Sequence, residues 1–324
     1  MGQPAILVIK DIYYPILAAV AVPVNLMTIV ILSRRNCGLS NCISVYMVAM
    51  ATADLLVMII NVVLYHIFSS NFPLSFLSHT PVCKFILYMA AVNLDLSIWF
   101  TVSFTFDRFV VICYQKFKIR HCTESTAAAV IATLSVLILL KNFPFLFAYE
   151  PQQIINTAQW GCRSRVAFFS SSLGKAYIWF HTAWVVWVPF ALIALFNSLT
   201  IRRILVASRV RRELLHPTSD NQCDPEMVNR RKSIILLFSI SGSFILLWLT
   251  AVISFAMTGL VNSNYYRGDR TNPGYIATET GTMLKFLSSC PNTFVYAVIQ
   301  RKFREELKKV LKSPVKLILR TIKN

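Results

Sequence analysis

Two carboxylates and a guanidinium stand where charge is costly. Asp54 lies within the apolar run Ala51-Thr-Ala-Asp-Leu-Leu56, and Asp107-Arg108-Phe109 closes the apolar stretch that opens at Cys83. That stretch is long enough for a helix to cross a bilayer, which takes about 20 residues. An ionisable group inside such a segment is a functional hypothesis by default. Asn93 and Ser97 share one helical face at i and i+4, and Ser288, Ser289 and Asn292 share another. Hard oxygens gathered around one carboxylate suit a small cation; the alternative is a water-filled polar cluster with Asp54 protonated. Arg108 cannot shed its proton, so its resting partner is the adjacent Asp107. No metal-ligand spacing, nucleophile elbow or Gly-rich phosphate loop is present, and His66, His79, His121, His181 and His216 are scattered. No catalytic residue is expected, and the chain does not read as an enzyme. Arg267-Gly-Asp269 is an integrin-type tripeptide, read here as chance.

The elements that must position these groups follow from composition. The 324 residues are 56% hydrophobic and only 14% charged, with a mean hydropathy of +0.59. A soluble protein carries about 25% charge, so the fold class is an all-α membrane protein. Net charge is +18, but the bases fall between apolar spans and not on one soluble face, which argues against a nucleic-acid partner. Seven apolar segments are legible: Ile12–Ser33, Cys42–Phe68, Cys83–Cys113, Thr126–Ala148, Leu173–Val206, Ser233–Val261 and Tyr275–Ile299. In a bilayer each must be a helix, because its backbone groups have to be satisfied internally. Alternate connections hold 22 and seven Lys/Arg. The positive-inside rule then places the N-terminus outside and the C-terminus in the cytosol. No basic n-region with a small-residue cleavage site precedes the first span, which reads as an uncleaved anchor. No Asn-x-Ser/Thr acceptor occurs. Ser208–Asn229, with Pro217 and Pro225, reads as a flexible cytosolic loop. Phe303, Leu307, Val310 and Leu311 fall at i, i+4, i+7 and i+8 with bases on the other face. That pattern predicts an amphipathic helix lying on anionic membrane lipid. The division is a short extracellular N-terminus over 1–11, a seven-transmembrane domain over 12–299, and a cytosolic amphipathic helix with a basic tail over 300–324.

Seven spans, an outside N-terminus and Asp107-Arg108-Phe109 at the inner end of the third span resemble the rhodopsin-like (class A) G-protein-coupled receptors. The resemblance covers about Ile12 to Leu311 and rests on joint spacing. Cys83 lies 25 residues before Arg108; Asn25 sits in Pro-Val-Asn; Asp54, Pro189 and Trp248 mark the second, fifth and sixth spans. Asn292-Thr-Phe-Val-Tyr296 ends the seventh, and Lys302-Phe303-Arg304 opens the amphipathic helix. There are departures. Phe109 stands for Tyr, Thr293 and Thr250 for prolines, Asn197 for Tyr, Arg230 for an acid and Gln115 for Pro; the fourth span has no Trp and no cysteine follows Cys290. They place the chain in a divergent peptide-receptor-like or orphan branch.

The resemblance implies a Cys83–Cys162 disulfide on the oxidising side, with Cys37, Cys42, Cys122 and Cys223 reduced. It implies no cofactor beyond an allosteric sodium ion at Asp54, Asn93, Ser97, Ser288, Ser289 and Asn292. A switch of Asp107, Arg108, Phe109, Asn197 and Tyr296 would couple to a heterotrimeric G protein. Ile98, Pro189, Phe244 and Trp248 match its packing relay. By position the pocket involves Ala90, Ala91, Leu94, Asp95, His181, Trp184, Trp248, Ala251, Phe255 and Lys285. Ala90 holds the place of the amine receptors' Asp, and Lys285 is one residue off an opsin's lysine, so neither ligand class is expected. Asp95 and Lys285 could bind opposite ends of an aromatic amino acid or short peptide; equally, Asp95 could pair internally with Lys141 or His181. The expected function is a plasma-membrane, multi-pass receptor that binds an extracellular ligand and activates G proteins. The alternatives are a non-signalling or decoy receptor, or a seven-span transporter, for which paired broken half-helices are missing.

Overall fold

The computed structural model describes residues 4–35, 37, 39–114, 122–214, 225–260, 271–310 and 312, apart from a few side chains within those helices. Six helices are long and apolar enough to cross a membrane. α1 is Ala5–Ser33. α2 is Asn41–Leu56 and continues as π-helical turns over Val57–Phe68. α3 is Thr80–Cys113 and α4 is Glu124–Asn142, extended by 3₁₀ turns over Phe143–Phe147. α5 runs from Ser172–Thr182 through the π-turn Ala183–Trp187 into Val188–Leu214, and α6 is Pro225–Leu260.

The seventh span is two helices, α7 (Pro273–Leu287) and α8 (Pro291–Ile299). The break has a local cause. Pro291 has no N–H to bond back to Leu287. The Leu287 carbonyl instead accepts from Cys290 N at 2.9 Å, and Phe286 O accepts from Ser289 N at 3.2 Å. The span expected as one helix over Tyr275–Ile299 is therefore two, which is why no continuous apolar helix of full length is found there. Two other boundaries differ. α1 starts at Ala5, inside the tail expected over 1–11. α5 continues to Leu214 and α6 begins at Pro225, so helix occupies much of the loop expected over Ser208–Asn229; Pro217 itself lies outside the described residues.

Helix starts carry their own caps. Thr123 Oγ1 accepts from Thr126 N at 3.2 Å, Ser171 Oγ from Gly174 N at 3.0 Å, and Asn272 Oδ1 from Gly274 N at 2.8 Å, with Pro273 opening α7. Many apolar side chains face outward, among them Leu140 (67% exposed), Leu246 (71%) and Val298 (75%). Surface of that kind in a water-soluble monomer would be an aggregation liability; in a bilayer it meets lipid. Inside, Tyr46, Met50, Phe104, Ile240, Tyr296 and Phe303 pack together at the Arg108 end. A second core joins Tyr14, Met58 and Phe286, and a third joins Ile98, Val186, Phe244 and Trp248.

One end of the bundle is covered by two short antiparallel pairs, β1 (Tyr149–Glu150) with β4 (Arg163–Ser164) and β2 (Gln153–Ile155) with β3 (Ala158–Trp160). The two-residue connection Asn156-Thr157 has φ of 48° and 65°, the left-handed pair a primed hairpin turn needs. Gly161, also left-handed at φ 71°, donates its N–H to Ser78 O at 2.7 Å and accepts Thr80 Oγ1 at 2.8 Å. Its neighbour Cys162 is disulfide-bonded to Cys83 near the start of α3. Arg108 lies 25 residues further along α3, about 38 Å away at 1.5 Å per residue. Residues 301–310 form a further helix, α9. Phe303 is fully buried against Tyr296 at 5.9 Å between ring centroids, with Leu307 and Val310 packed beside it; the Leu311 side chain lies outside the described residues.

Candidate functional site

The polar centre of the bundle is built from α2, α3 and the α7–α8 break. Asp54 is 1% exposed. Its Oδ1 accepts the Ser97 hydroxyl at 2.6 Å and its Oδ2 accepts Asn292 Nδ2 at 2.9 Å. Asn93, one turn before Ser97, is fully buried, and both its amide atoms lack a hydrogen-bond partner. Ser289 is buried, and its carbonyl accepts Asn25 Nδ2 at 2.9 Å. Ser97, Ser289 and Asn292 thus meet at Asp54, with Asn93 one turn away on the face of Ser97. Ser288 departs from the expected set: its hydroxyl accepts from Trp248 Nε1 at 3.0 Å and donates to Lys285 O at 2.6 Å. Ser288 therefore holds the α6 indole, not Asp54. Thr293, where the resemblance leads one to expect proline, is bonded to Thr28 at 2.6 Å, which fastens α8 to α1.

At the far end of α3, Arg108 is 98% shielded and ion-paired to Asp107, with its guanidinium 5.8 Å from the Phe104 ring centroid. Phe109 stacks on Phe196 of α5 at 5.7 Å. Asn197, one residue on, donates to Ser241 Oγ of α6 at 2.8 Å, a direct α5–α6 tie. Tyr296 is fully buried with its hydroxyl unpartnered. Between the two ends, Ile98, Phe244 and Trp248 share one core, with Phe244 5.4 Å from Trp248 and 5.7 Å from Phe190. Pro189 follows the π-turn Ala183–Trp187, where the altered hydrogen-bond ladder accommodates a residue with no N–H. Arg230, Phe255 and Cys223 have side chains outside the described set, as do Gln115 and residues 261–270 with the Arg-Gly-Asp tripeptide.

On the disulfide side the expected pocket divides. Asp95 is fully buried; its Oδ2 meets Lys141 Nζ at 2.5 Å and Asn142 Nδ2 at 2.7 Å. Lys141 reaches His181 Nδ1 at 2.8 Å. An ammonium has no acceptor, so His181 Nδ1 accepts and the ring proton sits on Nε2. The chain Asp95–Lys141–His181 bolts α3, α4 and α5 together. Of the two readings left open for Asp95, the internal pair with Lys141 is the one found, so its charge is already compensated inside the protein. Asn142 went unnoticed in the sequence, where nothing separates it from a helix-end asparagine. Lys285 differs: its Nζ sits 5.0 Å from the Phe286 ring centroid, and no described carboxylate pairs with it. Leu94 packs against both the Trp248 core and the Phe286 core. Ala90 and Ala251 are buried, Ala91 is half-buried, and Trp184 lies against Trp99 at 4.4 Å. Among the described residues a cavity of about 1010 Å³ lies elsewhere, lined by Tyr46, Trp99, Phe106, Phe109, Leu134 and Phe196 of α2, α3, α4 and α5.

The family model for the seven-transmembrane receptors of the rhodopsin family matches residues 24–296, most of the chain and all seven spans from within α1 onward. The chain belongs to that family. Two relatives of the receptor are melatonin receptors type 1A. The protein from Phodopus sungorus is 25% identical over 288 residues, covering 88% of this chain and 75% of its own length. That from Gallus gallus is 24% identical over 289 residues, with the same coverage. Membership makes the receptor a multi-pass protein of the plasma membrane, in a family of receptors and not of enzymes.

Proposed function

We propose that the receptor binds an extracellular ligand carrying a carboxylate and an aromatic group, an aromatic amino acid or short peptide, and activates a heterotrimeric G protein. The N-terminus and disulfide face outward, and the basic connections and α9 face the cytosol, on the count of 22 against seven Lys/Arg. The carrying observation is Arg108, buried and held by Asp107 at the end of the bundle opposite the disulfide. A buried, hydrogen-bonded ion pair between neighbours at the end of one packed helix, whose arginine can be released, is a bistable element that a ligand can bias. Trp248 is the link: its indole is tied to the α7–α8 break through Ser288, and its ring packs on Phe244. Lys285 supplies the cation for a ligand carboxylate, since no described protein carboxylate claims it, and Trp184 and Leu94 supply apolar area.

Asp54, Asn93, Ser97 and Asn292 offer hard oxygens to a sodium ion, and the unpartnered Asn93 Oδ1 is a buried acceptor in want of a cation or donor. When bound, the ion supplies a positive charge that holds the paired, inactive arrangement.

The test is nucleotide exchange by G protein in membranes holding the receptor, screened against pooled amino acids and short peptides, with Arg108→Ala in parallel. A ligand-driven or basal signal that disappears in Arg108→Ala at equal surface expression supports the reading. A signal that survives the substitution, or none under any pool, overturns it; the latter favours a non-signalling receptor.

A further inference from the structure

Two thiols approach the Asp107–Arg108 pair from outside α3. Cys42 is the second residue of α2, and Cys122 lies just before α4. The Sγ atoms of Cys42 and Cys122 and an oxygen of Asp107 all lie within 4.8 Å of one another. Cys42 Sγ donates to Asp107 Oδ1 at 3.4 Å. Arg108 uses one nitrogen twice, donating to Asp107 Oδ2 and to Cys122 Sγ, the latter at 3.6 Å. Neither cysteine is in a disulfide.

We propose that Cys42, Cys122 and Asp107 form a binding site for a divalent cation of the zinc class, with Arg108 as its charge-balancing neighbour. The first argument is size. With Zn–S of about 2.3 Å and Zn–O of about 2.0 Å, a tetrahedron has edges of about 3.8 Å between sulfurs and about 3.5 Å between sulfur and oxygen. The Cys42–Asp107 edge already has that length, and the remaining separations, bounded at 4.8 Å, need close by no more than about 1.3 Å. The second is donor type. Two thiolates with one carboxylate select a borderline-soft ion over magnesium or calcium, which take oxygen alone. The third is charge. Two thiolates and a carboxylate exceed a divalent cation by one negative charge, and the buried guanidinium at Cys122 supplies the matching positive one. The fourth coordination position is left for water.

Such an ion would use Asp107 Oδ1 and leave Oδ2 to Arg108. It would bind the start of α2, the end of α3 and the segment before α4 into one unit and hold Arg108 in its pair. This regulatory consequence rests on the proposed role of Arg108 as the switch; the binding does not.

Cobalt(II) titrated into the anaerobically purified full-length receptor in lipid nanodiscs tests the binding. We expect a thiolate-to-cobalt charge-transfer band saturating at one equivalent and bleached by zinc. Cys42→Ser and Cys122→Ser should each lower it at least tenfold, while Cys37→Ser, whose thiol belongs to no such cluster, keeps it. An unchanged band in both variants, or no band in the unaltered receptor, overturns the site. A second measurement needs no variant: zinc should slow alkylation of Cys122 in the native chain at least tenfold and leave Cys113 unaffected, and equal rates with and without zinc overturn it. In membranes, zinc should suppress G-protein activation by the unaltered receptor but not by Cys122→Ser. Binding without that difference overturns the regulatory consequence alone.

Discussion

A buried carboxylate is tolerated when another group inside the protein answers it. Asp95 is answered by Lys141 and Asn142 in the contact between α3 and α4, with Asp95 and Asn142 fully buried and Lys141 half-buried. Removing one partner of such a pair leaves a charge with no solvent, which costs about 3–5 kcal/mol, whereas replacing both with apolar groups of similar volume is often neutral. Lys141→Ala should therefore depress the thermal midpoint of the receptor in nanodiscs by an amount corresponding to that cost. Asp95→Leu with Lys141→Met should restore most of it. Equal midpoints for Lys141→Ala and the unaltered chain would show the pair to be energetically idle. The sequence left Asp95 open between ligand and internal partner because Lys141 is 46 residues away and spacing within one helix says nothing about rotation between two. Asp54 was different: periodicity put Asn93 with Ser97, and Ser288 and Ser289 with Asn292, on single helical faces, and the family resemblance turned those faces toward Asp54, where Ser97 and Asn292 are found. For Asp54 the expected outcome is an ion effect. Replacing sodium with choline should lower the thermal midpoint of the unaltered receptor and leave Asp54→Asn unmoved; equal responses in the two would remove sodium from the site.

Elements were legible to the extent that hydropathy defines them. Six spans announce themselves by length, because a bilayer demands an uninterrupted apolar helix. The seventh is legible as an apolar run but not as two helices, since its break comes from one missing N–H at Pro291 and not from any change in polarity. The extension of α5 was hidden for the opposite reason: polar helix beyond the bilayer carries no apolar signal. The early start of α1 was missed because Lys10 and Asp11 interrupt its apolar run, although Ala5–Ile9 is itself apolar. The packing of α7 on α6 was also invisible. It depends on Gly281, where an added Cβ would fall 2.8 Å from Ala251 Cα and 2.9 Å from Ala251 N. Real Cβ atoms do not approach backbone so closely, so the two helices touch only because a side chain is missing. Gly281→Leu should force them apart and destabilise the receptor by about 1–3 kcal/mol, the usual cost of overpacking. It should also weaken the Trp248–Ser288 hydrogen bond, which spans the same pair of helices. The check is twofold, a lower thermal midpoint and an altered tryptophan emission from position 248 measured against Trp248→Phe. A receptor as stable as the parent would mean that α6 and α7 approach less closely than 2.8 Å implies.

At the scale of the whole molecule, the charge asymmetry and the position of the disulfide speak to the same axis. Along the sequence the 22 basic residues fall in one alternating set of connections and in the chain after α8, and the seven in the other set, the one that holds Cys162. Basic loops stay on the cytosolic side during insertion, whereas a disulfide persists only where thiols are oxidised. On the proposed topology, two unrelated pressures, one electrostatic and one chemical, put opposite ends on opposite sides of the membrane. They also fit α9, whose bases face outward around the buried Phe303 and would meet anionic headgroups found on the cytosolic leaflet. An epitope at the N-terminus should then be stained on intact cells, and one at the C-terminus only after permeabilisation. Staining of both termini on intact cells, or of neither, would require an even number of crossings. It would place Arg108 and the ligand mouth on sides that the seven spans cannot provide, and a switch read by a cytosolic G protein would have no physical basis.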